Sequence, residues 1–165
     1  MSSNDVARAF VALGANLDDP AARLREAMAR LDEGPLGRVV AQSSLYRSAP
    51  VGRLDQPHFV NALVELRTAL CPLALMRSLL QLEVLLGRVR GERNGPRRID
   101  LDLVAFDARV LATPELQLPH PRALERAFVM LPWSDIAPDF RPFGGDEVRV
   151  LASRLLPADI HRLHA

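Results

Sequence analysis

Residues 58–69, HFVNALVELRTA, carry the alternation that decides the fold. In an extended strand successive side chains point to opposite faces. Val60, Ala62, Val64 and Leu66 then form one apolar face, suited to lying beneath helices. Phe59, Asn61 and Leu63 begin the other face, which turns charged at Glu65 and Arg67. Such a strand belongs in a sheet whose first face packs on helices and whose second face meets something more polar.

Working outward, SAPVGRLDQP is a proline-rich loop, and residues 38–47 (RVVAQSSLYR) read as the preceding strand. ARAFVAL (7–13) is a short apolar run suited to a buried strand. It ends at GANLDDP, where Asn16, Asp18 or Asp19 can cap a helix and Pro20 suits the first turn. That helix runs to about Asp32 and is stopped by Gly34-Pro35. On the other side Pro72 opens a leucine-rich helix that stops at Gly87, and Ile99 to Phe106 form a fourth strand. The order β-α-β-β-α-β is the split unit of ferredoxin-like folds, so the expected class is α+β with a ferredoxin-like βαββαβ core. Residues 107–165 add a C-terminal hairpin, one or two short helices around 121–136, and a weakly patterned final segment. No linker divides the chain, so residues 1–165 are expected to form one domain.

Composition removes several functions. The 21 basic residues against 20 acidic give a net charge of +1, too even for a protein that coats nucleic acid through overall charge. All 21 are arginine. Without lysine there is no Schiff-base chemistry and no phosphate loop ending in Gly-Lys-Ser/Thr. Phosphate, if bound, is gripped by arginine forks. Cys71 is the only cysteine, which rules out an intrachain disulfide, and beside Pro72 it is expected to be buried packing. Neither a leader nor a stretch of the ~20 apolar residues a membrane span needs is evident, so a cytoplasmic location is expected.

Residues 91–106, GERNGPRRIDLDLVAF, concentrate both signs of charge. With Ile99, Leu101 and Leu103 on the core side, Asp100 and Asp102 share the opposite face. Two carboxylates about 6–7 Å apart at the backbone can converge on Mg²⁺, a hard ion that favours carboxylate and phosphate oxygens. Alone, Asp-x-Asp is usually solvated surface. Here Arg88, Arg90, Arg93, Arg97 and Arg98 precede it, and acids for metal beside arginines for polyphosphate suit nucleotide phosphoryl transfer. Glycines at 87, 91 and 95 suggest that this loop moves. In the second helix Leu73, Leu75, Met76, Leu79, Leu80, Leu82, Val84 and Leu86 fill one broad arc, and Glu83 falls inside it. A carboxylate there needs a partner, either a nearby arginine or a ligand. Taken singly, His120 is a turn histidine and Arg126 a solvated arginine.

RNGPRRIDLDLV resembles the signature of the 6-hydroxymethyl-7,8-dihydropterin pyrophosphokinase family of the folate pathway. VALGANL, SSLYRSAPVG, DQPHFVNALVEL, LLQLEVLLGRVR, LPHPRALERAFVMLP and IAP fall in the family's order, over roughly residues 8 to 140. The resemblance implies transfer of the pyrophosphoryl group of ATP to the pterin's hydroxymethyl oxygen, with release of AMP. It implies that Asp100 and Asp102 hold two Mg²⁺, that Arg88 and Arg97 stabilise the transferring group, and that Arg90 lies on the same mobile loop. Glu83, His120 and Arg126 would help bind the nucleotide. Asn61 would read the pterin edge, Phe59 and Phe128 would flank it, and Ser48, Ala49 and Val51 would form the loop wall. The partners implied are ATP and the dihydropterin alcohol, with no nucleic acid and no membrane, and the chain acting as a monomer. Phe59, Asn94, Ala15 and Ala49 stand where the family often has tyrosine, tryptophan, serine and proline, and they bear on affinity more than on reaction type. A related pterin alcohol as acceptor stays open. An RNA-binding module is disfavoured, because only eight residues are aromatic and acids on the mixed face would repel a phosphate backbone.

Overall fold

A computed structural model describes residues 6–89, 91 and 94–164. Along the chain these form β1 (Ala7–Ala15), α1 (Pro20–Asp32), β2 (Arg38–Gln42), β3 (Tyr46–Ser48), β4 (Phe59–Thr68), α2 (Pro72–Leu85) and β5 (Asp100–Phe106). There follow β6 (Leu111–Ala112), β7 (Gln117–Leu118), a 3₁₀ turn (Ala123–Glu125), α3 (Ala127–Ile136), α4 (Val148–Ser153) and β8 (Ile160–Arg162). The main sheet runs β5-β1-β4-β3-β8, with β2 also pairing β4, and every neighbouring pair is antiparallel. β6 and β7 form a separate two-stranded antiparallel sheet.

The alternation in β4 places Val60, Ala62, Val64 and Leu66 in one core with β1 and the two long helices. α1 contributes Leu24, Ala27, Met28 and Leu31, spaced at the i, i+3, i+4, i+7 of a single helical stripe. Asp19, not Asn16, caps this helix: its Oδ1 accepts the Ala22 N–H at 3.2 Å. α2 contributes Leu75, Leu79 and Leu82, followed by Leu86. The apolar arc of α2 is narrower than its sequence suggests, since Leu80 is 48% and Val84 69% exposed. A helix lying on a sheet buries one stripe, and these two residues fall beyond its edge. Cys71 likewise departs from expectation: it is exposed, at the N-cap of α2.

Residues 38–47 do not form one strand. β2 ends at Gln42 and β3 begins at Tyr46 because Ser43 takes over the pairing. Its N–H donates to the Leu63 carbonyl at 2.9 Å, and its hydroxyl accepts the Leu63 N–H at 2.9 Å. A side chain that captures a ladder donor interrupts the strand. The final segment, weakly patterned in sequence, supplies α4 and the edge strand β8. Arg162 of β8 reaches Asp135 of α3 at 2.7 Å, and Tyr46 Oη donates to the same carboxylate at 2.8 Å.

The mixed face of the sheet is half covered. Phe10, Leu63, Val104 and Ala105 pack with Val129, Met130 and Trp133 of α3 and Val148 and Ala152 of α4 in a second core. Phe10, Trp133 and Phe140 stack with ring centroids 4.7 to 5.7 Å apart. A register shift in the β1–β5 pairing leaves Val104 without a partner opposite, so Val104 and Ala105 both face this core while Phe106 returns to the first. At the other end of the same face, Phe59, Asn61, Asp100 and Asp102 line cavities.

Candidate active site

The register of three strands assembles the site. Gly14 of β1 stands between Asn61 of β4 and Asp100 of β5, and one step on Ala12 stands between Leu63 and Asp102. The row therefore carries an amide on one side and a carboxylate on the other, separated by a residue with no side chain. A Cβ at Gly14 would stand 3.2 Å from Asn61 Oδ1, so glycine leaves the amide its room.

Asp100 is held by two arginines. Arg88 Nη1 donates to its Oδ1 at 2.8 Å and Arg97 Nη1 to its Oδ2 at 2.9 Å. Arg88 also pairs with Glu83, which is only 2% exposed. Burial raises the Glu83 pKa from its ordinary value, with Arg88 pulling the other way. The misplaced acid of α2 thus has an arginine partner, and that arginine bridges to β5. Asp102 has less compensation. Burial, followed by the charges of Asp100 and Glu83, pushes its carboxyl up to about 7, against the pull of Arg126 and Arg97. Among the described residues no cluster of three or more His, Cys, Asp or Glu could cage a metal. Asp102, which has no ion pair among the described residues, stands beside Asp100, and two adjacent carboxylates suit a hard divalent ion that keeps substrate and water oxygens in its remaining positions.

His120 reaches this cleft because of the irregularity at Val104, whose carbonyl accepts the His120 N–H at 2.8 Å. Its Nδ1 accepts the Arg122 N–H at 3.3 Å, so the neutral ring carries its proton on Nε2. Burial, then the charge of Arg126, lowers the imidazole's pKa. Glu83, Arg88, Arg97, Asp100, Asp102, His120 and Arg126 all line a cleft of about 610 Å³. Arg90 lies outside the described residues.

A second cavity of about 120 Å³ adjoins it, lined by Ser48, Ala49, Val51, Phe59, Asn61 and Phe128. Asn61 is 4% exposed, and its Nδ2 donates to Ser48 Oγ at 2.7 Å, which orients the amide. The guanidinium of Arg126 lies 5.5 Å from the Phe128 ring centroid. Asn94, Arg97, Arg122 and Arg126 border both cavities.

Sequence reasoning missed the residue that ties the two loops together. Asn16, 3% exposed, exchanges two hydrogen bonds with Arg97: its N–H donates to the Arg97 carbonyl at 2.9 Å, and its Oδ1 accepts the Arg97 N–H at 2.8 Å. Its Nδ2 donates to Gln56 Oε1 and to the Pro57 carbonyl, both at 2.9 Å. Gln56 Nε2 in turn donates to the Asn94 carbonyl at 2.7 Å. The only cue in the sequence is an amide just past a strand end, which equally fits a helix cap. Asn16→Ala strands these groups, so a loss of about 1–3 kcal/mol in stability is expected, with about a tenfold rise in KM for both substrates. Thermal unfolding and steady-state kinetics in each substrate check this; a change in one KM alone would show that Asn16 serves only one loop.

Comparison with known proteins decides the family. Residues 10–138 match the family described as 7,8-dihydro-6-hydroxymethylpterin-pyrophosphokinase (HPPK). The chain belongs to the HPPK family. Among relatives, the 2-amino-4-hydroxy-6-hydroxymethyldihydropteridine pyrophosphokinase of Methylorubrum extorquens is 44% identical over 156 residues, covering 94% of this chain and 98% of that protein. The Pseudomonas aeruginosa protein of the same name is 44% identical over 136 residues, 82% of this chain and 84% of that one. A solved structure of wild-type Plasmodium falciparum HPPK-DHPS with pteroate matches with a TM-score of 0.74 at 16% identity, covering 93% of this chain and 43% of that one. A second, with STZ-DHP, matches at 0.77 and 14% identity, covering 100% and 48%. At such identities these two show the fold, and this HPPK chain spans less than half of either.

Proposed function

We propose that this HPPK transfers the pyrophosphoryl group of ATP to the hydroxymethyl oxygen of 6-hydroxymethyl-7,8-dihydropterin, releasing AMP, in folate biosynthesis. The observation that carries the reading is the pair of adjoining cavities: one rich in acids and arginines, one lined by two phenylalanines and a fixed amide, with three arginines between them. The larger suits a triphosphate, and the smaller suits a flat heterocycle with a polar edge.

In this reading Asn61, oriented by Ser48, accepts and donates at the pterin edge while Phe59 and Phe128 flank the ring. Ala49 and Val51 close the wall. His120 offers its Nε2–H to the nucleotide, and Glu83 fixes Arg88 in place. Asp100 and Asp102 would hold two Mg²⁺, which when bound offset the charge of the triphosphate. Arg88 and Arg97, which neutralise Asp100 in the free protein, are then available to the transferring group, whose charge is best matched by planar guanidinium forks. The hydroxymethyl oxygen bonds to the β-phosphorus, the bond from that phosphorus to the α,β-bridging oxygen breaks, and the hydroxyl proton is released. Arg90 belongs to the same loop in this reading.

We further assign the chain to the ferredoxin-like class as one domain, supported by the order β5-β1-β4-β3 flanked by α1 and α2, with β6–β7 as the extra hairpin. It would act as a cytoplasmic monomer on small molecules, without nucleic acid. No helix among the described residues is long and apolar enough to cross a membrane. The test is AMP release from ATP and Mg²⁺, with and without the pterin. AMP that appears only with the pterin is the expected result, and ADP in its place would overturn the assignment.

A further inference from the structure

The arginines of the site are not equally committed. Arg88 is paired with Glu83 and Asp100, and Arg97 with Asp100. Arg126 lies over Phe128. The guanidinium of Arg122 has no carboxylate partner among the described residues. Yet its position is not that of a stray surface cation. Arg122 caps the 3₁₀ turn, and its own N–H is fixed on His120 Nδ1. Together with Arg126 it borders the nucleotide cleft, the pterin cavity and a third cavity of about 360 Å³ between β3, the 3₁₀ turn and β8. No other described residue lines all three.

Two like charges at one junction repel unless an anion lies between them. The charge of Arg122 lowers the pKa values of both His120 and Arg126, after the larger effect of burial on each. Among the described residues no carboxylate pairs with Arg122, though Glu125 and Asp159 line the third cavity with it. The nearest carboxylates on β5 are engaged by Arg88 and Arg97 or lie beside Arg126. The anion that reaches this junction in the proposed reaction is the pyrophosphoryl group, which must pass from the cleft to the pterin cavity.

We propose that Arg122 is a further phosphate-binding residue, which with Arg126 grips the β,γ-pyrophosphoryl group where the nucleotide and pterin cavities meet. The inference rests on the pyrophosphokinase reading and narrows it to one residue. A planar fork at the junction binds two phosphate oxygens at once, which a lysine cannot reproduce in full.

The test compares Arg122→Gln and Arg122→Lys with the unaltered enzyme. Three ligands are titrated with Mg²⁺ present: α,β-methylene-ATP, which keeps the triphosphate but resists cleavage, inorganic pyrophosphate, and AMP. Arg122→Gln is expected to weaken the triphosphate analogue and pyrophosphate about tenfold, the size of one lost charge-assisted hydrogen bond, and to leave AMP unchanged. Arg122→Lys should recover part of the loss. Affinities within twofold of the unaltered enzyme for all three ligands would overturn the proposal, as would an equal loss for AMP, which lacks the β,γ-group. Failure of the parent reading looks different: the unaltered enzyme would then release no AMP in the presence of the pterin.

Discussion

Asp102→Asn is expected to lower turnover by about 10³-fold or more, yet to leave the ligand-free protein folded and more stable at neutral pH and above. The two effects share one cause. Asp102 is a carboxylate placed where burial and two neighbouring acids oppose its charge, so its pKa stands at about 7 rather than at the ordinary 3.8. A group whose folded pKa is raised costs the fold nothing in acid, where both states hold the proton. The cost grows as pH rises from the carboxylate range towards 7, because only the unfolded chain releases its proton, and it is constant above that. Asparagine keeps the shape and removes the cost. The same substitution deprives the proposed metal site of one of its two carboxylates, worth about 4 kcal/mol of barrier or more. Melting temperatures at pH 4 and pH 8 without metal, set beside AMP release, separate the two effects. A variant that melts lower than the parent at pH 8 would show that the Asp102 charge is already satisfied in the free protein.

Arg88→Ala carries the largest expected loss of stability. Glu83 is buried at 2% exposure and depends on Arg88 for its charge partner. Removing one member of a buried pair costs about 3–5 kcal/mol, and the 28% exposure of the Arg88 side chain places this case near about 3. For a domain of this size that is a fall of about 6–12 °C in melting temperature. The loss should shrink as pH falls, because protonating Glu83 removes the orphaned charge. The double variant Arg88→Ala, Glu83→Gln should recover most of the stability and none of the activity. Chemical denaturation of the parent and the two variants decides it: a double variant no more stable than Arg88→Ala would show that Glu83 is not the stranded group.

Those expectations draw on features of unequal legibility. Val60, Ala62, Val64 and Leu66 announce their face because a strand's period of two is a property of the backbone alone. The same period places Asp100 and Asp102 side by side without any partner being known. Glu83 is visible as an anomaly, but not its answer. Whether Arg88, Arg90 or another loop arginine pairs with it depends on how α2 meets β5. Arg122 escaped notice because an exposed arginine after a proline looks like any other. Only the meeting of three cavities gives it a place.

Periodicity, caps and breakers follow from geometry within a few residues, and they settled on their own where α1, α2, β4 and β5 lie and which faces bear charge. The motif DLD preceded by arginines was likewise legible, together with the family it resembles. The tertiary structure alone decided the rest. The break at Ser43 depends on Leu63, and the half-covered second face depends on Phe10 meeting Trp133. The seating of His120 depends on an unpaired carbonyl at Val104, and the tie between the two loops depends on Asn16 meeting Arg97 from 81 positions away. Each is a contact between groups distant in the chain, and such contacts leave no local period to read.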